Sequence, residues 1–443
     1  MGNATQSSKP GTSSHGLHIV IVGAGLSGLA AAIGLRRSGH TVIVLEQTAE
    51  LREVGAGIQL PANSSRILDQ LGILEKVKKF TVQPRDLVIR SYKGEELYRQ
   101  NLCPAIQERF QYPHQLIHRA DIRRLLFDEA RSQGASIRLG AAVRTINLSA
   151  SQLELVTGEL YAADLIIGAD GEHSICRESL LGHSDPPLSS GDVVYRLAIP
   201  AYRVAPHLPA LIDPPCVHAW YGPNSHAVCY QLLKNGIFNI VLTLPESEGA
   251  ATIGPRPADL DTIRSQCKEW DPKFQQLLNL AESSLKWTLL QTKEMESWTH
   301  HSGRFVLIGD SAHATLPYLA QGAALALESA HTLSTLLQNI SEPTQLPALL
   351  DLYTQLRIPR ARRTRQRSKD MHDICQLVDG PAQRERDRVF REEEPGEGFP
   401  NPWADPGFQE WMWAYDAEAV AQRAWEESNL EQRESKEPRN PKL

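Results

Sequence analysis

Apolar and polar positions follow two distinct rhythms along this chain. Short, uninterrupted apolar runs stand at Ile19-Val20-Ile21-Val22, Leu165-Ile166-Ile167 and Phe305-Val306-Leu307-Ile308, and each stops at a glycine. Such runs predict parallel strands buried on both faces, and ligands bind beyond the carboxyl ends of such strands. Three ends of this kind predict one ligand lying across the tips of a single sheet. Between 186 and 295 the pattern changes. Val193 to Ile199, His226 to Tyr230 and Phe238 to Thr243 predict strands of a second sheet able to cover a pocket, joined by the short run Asp86 to Ser91. Past Arg367 the chain is polar through Arg384 to Glu397, then aromatic at Trp403, Trp411, Trp413, Tyr415 and Trp425. That near-helical spacing predicts a helix docked on the body. The expected organisation is interleaved: a disordered lead at 1–16, one domain from 17–80, 112–185 and 296–365, a second from 81–111 and 186–295, and a helical tail at 366–443.

The first run opens a motif with a physical meaning. In Gly23-x-Gly25-x-x-Gly28 the first glycine permits a tight turn, the second lets the backbone approach a pyrophosphate, and the third lets a helix pack on the strand. That helix, from Leu26 to about Ser38, points its free N–H groups at the phosphates. A second strand, Thr41 to Leu45, then delivers Glu46, 18 residues past Gly28, close to the offset of about 20 at which an acid meets a ribose hydroxyl pair. Strand, motif, helix, strand and acid in this order predict a dinucleotide site.

The residues Gly168-Ala169-Asp170-Gly171-x-x-Ser174-x-x-Arg177 and Gly309-Asp310-Ser311-Ala312-His313-Ala314 resemble the second and third fingerprints of class A flavin-dependent aromatic hydroxylases, nearest the fungal salicylate-hydroxylase-like monooxygenases. The resemblance continues through Val54 to Leu60, His118 to Asp121, Leu316 to Ala323 and Asn401 to Pro406, nearly the whole chain. One departure is Ser329, where the family usually has an acid after Glu328. The resemblance implies an α/β fold: a Rossmann-like FAD-binding domain, an interleaved mainly β substrate domain and a C-terminal helical tail. It implies non-covalent FAD, NADPH or NADH as co-substrate, O2, and a small aromatic substrate. The implied reaction hydroxylates an electron-rich phenolic or salicylate-like ring, with or without decarboxylation, through a flavin C4a-hydroperoxide, in fungal secondary metabolism. Epoxidation of an indole or alkene, and an FAD oxidase or reductase without oxygen insertion, stay open as alternatives.

The same resemblance implies individual roles. Asp310 corresponds to the acid that hydrogen-bonds the FAD ribitol, and Gly322 and Ala323 offer backbone N–H groups to the isoalloxazine. Arg119 reaches the flavin side of the cofactor, with Gly57 as a backbone contact beside it. Asp170 serves FAD and NAD(P)H together, a role compatible with Asp170 or Ser174 capping a helix. Arg196 corresponds to an arginine that holds a substrate phenolate or carboxylate, a task suited to its fixed forked donors. His226 and Tyr230, four apart on one strand, face the same side, which suits removal of a phenol proton. His218, Trp220 and Tyr221 are rival wall residues.

Composition narrows the class. With 443 residues and 41% hydrophobic content the chain can bury a sizeable core. A net charge of −6 argues against a nucleic-acid partner, and the basic run Arg357, Arg360, Arg362, Arg363, Arg365 and Arg367 reads as a solvated helix face. Six cysteines without a CxxC pair point to free thiols, a reducing compartment and no metal site. Without an apolar stretch near ~18 residues the sequence predicts no membrane anchor, and the Ser-rich start lacks the apolar core of a signal peptide. A cytoplasmic monomer or homodimer is the expectation.

Overall fold

The computed structural model describes residues 16–51, 57–233, 236–246, 254–340 and 342–436, with side chains to 430. The expected disordered lead, apart from residue 16, and the motif residues Val54, Gly55 and Ala56 lie outside the described residues.

The three glycine-ended runs are neighbours in one five-stranded parallel sheet. Its strands lie in the order Phe305–Leu307, Leu165–Gly168, His18–Val22, Thr41–Glu46 and Ser136–Leu139. Val22 pairs with Gly168, and Gly168 with Leu307, so the three tips stand side by side. Their side chains explain the run pattern: Ile19, Val20, Ile21, Ile167, Phe305 and Val306 have essentially no exposed surface. Burying each contributes about 1.5–3 kcal/mol, and helices on both faces supply the cover. Gly34 lets the helix Leu26–Arg37 approach the helix Gly322–Leu337 closely, since a Cβ there would lie 2.3 Å from Ser334 Oγ.

The second sheet has eight strands in the order Arg256–Ala258, Ser284–Gln291, Leu188–Pro200, Ile237–Pro245, Ser225–Leu232, Val217–Gly222, Asp86–Ser91 and Glu96–Asn101. The run Asp86–Ser91 therefore does join it, parallel to Val217–Gly222. Its two faces part by alternation. Trp220, Cys229, Phe238, Ile240 and Leu242 are buried in one apolar cluster with Phe274 and Leu277 of the helix Pro272–Leu280. The other face looks toward the tips of the parallel sheet.

Two expectations are corrected. The helix Leu346–Cys375 runs through 365/366 without interruption, and the aromatic stretch forms two helices, Pro406–Trp413 and Ala417–Lys436, not one, after a helix Pro381–Glu392 in the polar stretch. The arginine run is not a solvated face: Arg357 and Arg360 are buried, and both pair with the wholly buried Glu328 at 2.9 and 2.6 Å. Arg360 also stacks on Tyr415, 3.6 Å from its ring centre, and donates to the carbonyls of Trp411 and Met412. These contacts pin the tail to the helix Gly322–Leu337. Arg362, half exposed and paired with Glu294, behaves as expected of a surface residue. Among the described residues no helix is long and apolar enough to cross a membrane.

Candidate active site at the junction of the two sheets

The glycine-rich turn has the geometry its sequence demands. Gly23 has φ +106°, and a Cβ there would lie 2.3 Å from the Ala169 carbonyl oxygen. Gly28 packs so closely that a Cβ would lie 2.1 Å from the Gly23 carbonyl oxygen. At Gly25 only Ala169 O comes within reach, at 4.0 Å, so the helix start is open on one side. Glu46 ties this turn to the neighbouring strand: its carboxylate accepts from the N–H of Ala24 (2.9 Å), from the N–H and hydroxyl of Thr48 (3.0 and 2.8 Å), and from Arg123 (3.1 Å). Burial alone raises its pKa, but those donors outweigh it and hold the carboxyl below its ordinary value. Arg123 also donates to the Ala24 carbonyl. The sequence reading missed it, although it lies one helical turn beyond Arg119 on the same face of Arg119–Ser132.

Beyond the turn lies a cavity of about 340 Å³. Gly25, Gly57, Arg119, Asp310, Gly322 and Ala323 line it together with Arg196, His226 and Tyr230. Gly23, Gly28 and Glu46 stand behind this lining. Asp310 opens the short helix Asp310–His313 after Gly309, whose φ of +66° and approach to Ser27 Oγ, 2.4 Å from a Cβ there, exclude other residues. Burial pushes the Asp310 carboxyl up, and nearby Arg119 pulls it back. Asp170 accepts from Ser174 Oγ (2.5 Å) and the Cys176 N–H (3.1 Å) at the start of Ile175–Leu181, the capping geometry, while its neighbours Ala169 and Gly171 line the cavity. Ser329, the departure from the family pattern, is buried, 2.8 Å from His313 Nε2 and accepting from Arg357 Nε.

The cavity floor is one face of the eight-stranded sheet. His226, Val228 and Tyr230 alternate onto it, and their register partners Thr243, Val241, Ala219 and Tyr221 line the cavity with them. Alternation also separates the rival residues: Tyr221 faces the cavity, whereas His218 and Trp220 face away, His218 Nδ1 lying 3.2 Å from Arg90. Tyr230 packs on the Gly57 backbone, where a Cβ would lie 2.6 Å from its ring. Asn239, opposite Tyr230, accepts weakly from the Gly57 N–H at 3.4 Å. Arg196 stacks on Trp287 at 4.7 Å, and its Nε has no partner among the described residues. Burial draws its pKa down to about 10.

Burial sets the charge state of the histidine. Burial drives His226 down to about 4, so the ring is neutral. Gln376 Nε2 lies 3.3 Å from His226 Nδ1. An amide NH2 only donates, so Nδ1 accepts and the ring proton sits on Nε2. Burial raises the Tyr230 phenol well above its ordinary value, against the pull of Arg196. Both can therefore donate hydrogen bonds into the cavity. Tyr318, also on the wall, donates to buried Asp192 (2.5 Å), whose same oxygen lies 3.1 Å from His372 Nε2.

The residues beside the turn fit an FAD: a bare-backbone approach at Gly25, a carboxylate at Asp310, and the start of Gly322–Leu337, where a Cβ on Gly322 would meet nothing within 4 Å. Comparison with known proteins agrees. Residues 17–368 match the FAD binding domain family. The chain is 34% identical to an FAD-dependent monooxygenase, OpS4, of Beauveria bassiana, covering 92% of this chain and 97% of that one. It is 33% identical to a 3-hydroxybenzoate 6-hydroxylase of Klebsiella oxytoca over 78% and 86% of the two chains. A salicylate hydroxylase substrate complex superposes with a TM-score of 0.75 at 24% identity, over 92% of this chain and 98% of that one. The chain belongs to the FAD-dependent monooxygenases that hydroxylate aromatic compounds.

Proposed function

We propose that this enzyme hydroxylates a phenolic ring bearing an anionic group, with NAD(P)H as electron donor, and that Arg196, Tyr230 and His226 hold that substrate. The observation that carries the reading is the guanidinium of Arg196, partly buried, with an unpartnered Nε, on the same cavity wall as two neutral donors. Leaving a cationic donor unsatisfied is costly unless an anion completes the site. When bound, FAD supplies the redox chemistry that splits O2 and delivers one oxygen atom to the ring.

The side chains do the rest. Arg196 fixes a carboxylate or phenolate through its fork. The Tyr230 hydroxyl and His226 Nε2–H donate to the substrate oxygen, which favours its phenolate form and enriches the ring in electrons. Stabilising the anion in this way lowers the pKa of the substrate phenol, whose proton passes to solvent water as the phenolate is bound. Gly25, Gly322 and Ala323 offer backbone to the cofactor, Asp310 and Arg119 offer charge, and Glu46 offers its carboxylate at the adenosine end.

The test is a screen of hydroxybenzoic acids, neutral phenols and indoles with the yellow holoenzyme, measuring NAD(P)H and O2 consumed and product mass. Acids that give one oxygenated product per NAD(P)H, and a loss of about 10–100-fold in Arg196→Lys from the missing fork, support the reading. Equal use of neutral phenols, an epoxide from indoles, or NAD(P)H consumption without an oxygenated product would overturn it.

A further inference from the structure

The cavity is longer than one ring requires. Paired positions across four adjacent strands run Arg196, Val241, Val228, Ala219, all on the floor. Neighbouring strands lie about 4.8 Å apart, so the row extends ~14 Å, of which a single carboxylated ring covers about half. The guanidinium leans over Trp287 on the strand beyond, Ser284–Gln291.

Polarity falls away along the row. Its far end is walled by Leu87, Val217, Ala219, Met371, Cys375 and Trp403, all members of one buried apolar cluster. The wall is braced and so keeps its shape. The Trp403 carbonyl accepts from Gln100 (2.7 Å) and Gln409 (2.6 Å), its N–H donates to Asn401 Oδ1 (3.1 Å), and its ring meets those of His114 and Trp413 at 5.4 and 5.8 Å. Met371, Cys375 and Trp403 also lie beyond residue 368, where the family match ends. A fixed apolar recess beside a site with a cationic anchor selects a ligand with one charged and one greasy end.

We propose that the substrate is an aromatic acid with an apolar extension, a second ring or an alkyl chain, lying along Val241, Val228 and Ala219 toward Trp403 and Met371, with its anionic end at Arg196. This rests on the reading of Arg196 given above. The two are separated by titrating the holoenzyme, followed through its flavin absorbance, with 2-hydroxybenzoate and with its 4-pentyl and 4-phenyl derivatives. The expected result is a Kd at least tenfold lower for the extended acids. Ala219→Leu, which fills the far half of the row, should raise the Kd of the extended acids at least tenfold more than that of 2-hydroxybenzoate. If 2-hydroxybenzoate binds as tightly as its derivatives, or Ala219→Leu weakens all three equally, the extension is refuted and the anionic anchor stands. If none of the acids binds, the Arg196 reading fails and takes the extension with it.

Discussion

Replacing Glu328 by glutamine keeps the shape of the side chain and removes one charge from between two buried arginines. Glu328 is wholly buried, bonded to Arg360 at 2.6 and 2.7 Å, to Arg357 at 2.9 Å and to Asn63 at 2.8 Å. Burial raises its pKa, yet Arg360 and Arg357 overcome that cost and hold the carboxyl at about 2. A displacement of that size from the ordinary 4.5 corresponds to about 3 kcal/mol of net preference for the charged form. Glu328→Gln forfeits that preference and leaves excess cationic charge out of water, for which the measured range is about 3–5 kcal/mol. The two routes agree. The assay is urea unfolding followed by tryptophan fluorescence. With m near 3 kcal/mol/M the midpoint should fall by about 1 M. The effect should reach the cofactor as well, because Asn63 bridges Glu328 to Gln321 (3.0 Å), the residue that leads into Gly322 on the cavity wall. A loss under about 1 kcal/mol would mean that the ion triad is worth no more than its neutral isostere, and the argument from burial would be wrong.

Three further outcomes follow from the same geometry. Gly57→Ala places a methyl 2.6 Å from the Tyr230 ring; it should cost about 1–3 kcal/mol of stability by overpacking, and an unchanged urea midpoint would show that the ring moves freely. Asp310→Ala should weaken FAD at least tenfold in apoenzyme reconstitution while FAD-saturated enzyme keeps its affinity for substrate acids; the reverse pattern would move Asp310 into the substrate site. Stability should also fall as pH drops below about 6.5. His114 and His218 and His313 are held down to about 3 and His226 to about 4 by burial, so the unfolded chain takes up these four protons first and the penalty grows until those values are reached. His372, raised mainly by its bond to Asp192, opposes them, as do Asp170, Glu172 and Asp310, raised by burial, while His40, lowered by burial, adds to them. Urea unfolding at pH 7.5 and 5.5 should differ by about 5 kcal/mol, and equal values would refute neutral burial of these rings.

What could be read from the chain alone was what is encoded locally. Gly23, Gly25, Gly28 and Glu46 are set by turn geometry and strand alternation within 24 residues, and their places followed from spacing. The shared face of His226 and Tyr230 followed from the period of two. The same period would have divided Tyr221 from His218 and Trp220, a signal present in the sequence and not used. The fate of Arg357 and Arg360 was not local: their counterion Glu328 lies 29 and 32 residues upstream on another helix, so the cations looked solvated. The chemistry of His226 was hidden for a related reason. Its tautomer depends on Gln376, 150 residues away, and its neutrality on burial that no spacing reveals.

The two halves of the cavity are built from different materials, and this decides what mutation can change. At the glycine-rich end the residues at 25, 57, 322 and the turn at Gly309 present main chain, held by steric limits that admit no other residue at Gly309 and only a displaced tyrosine at Gly57. Over the eight-stranded sheet the surface is made of side chains on alternate positions of four strands and of a tail tied down through Glu328, Arg360 and Tyr415. Changing Ala219, Val228 or Trp403 therefore reshapes the recess without touching the backbone at Gly25, Gly57 and Gly322. Changing Arg360 does the opposite: it releases the tail that carries Trp403 and, through Glu328 and Asn63, loosens the lead into Gly322, so substrate and cofactor binding should fail together.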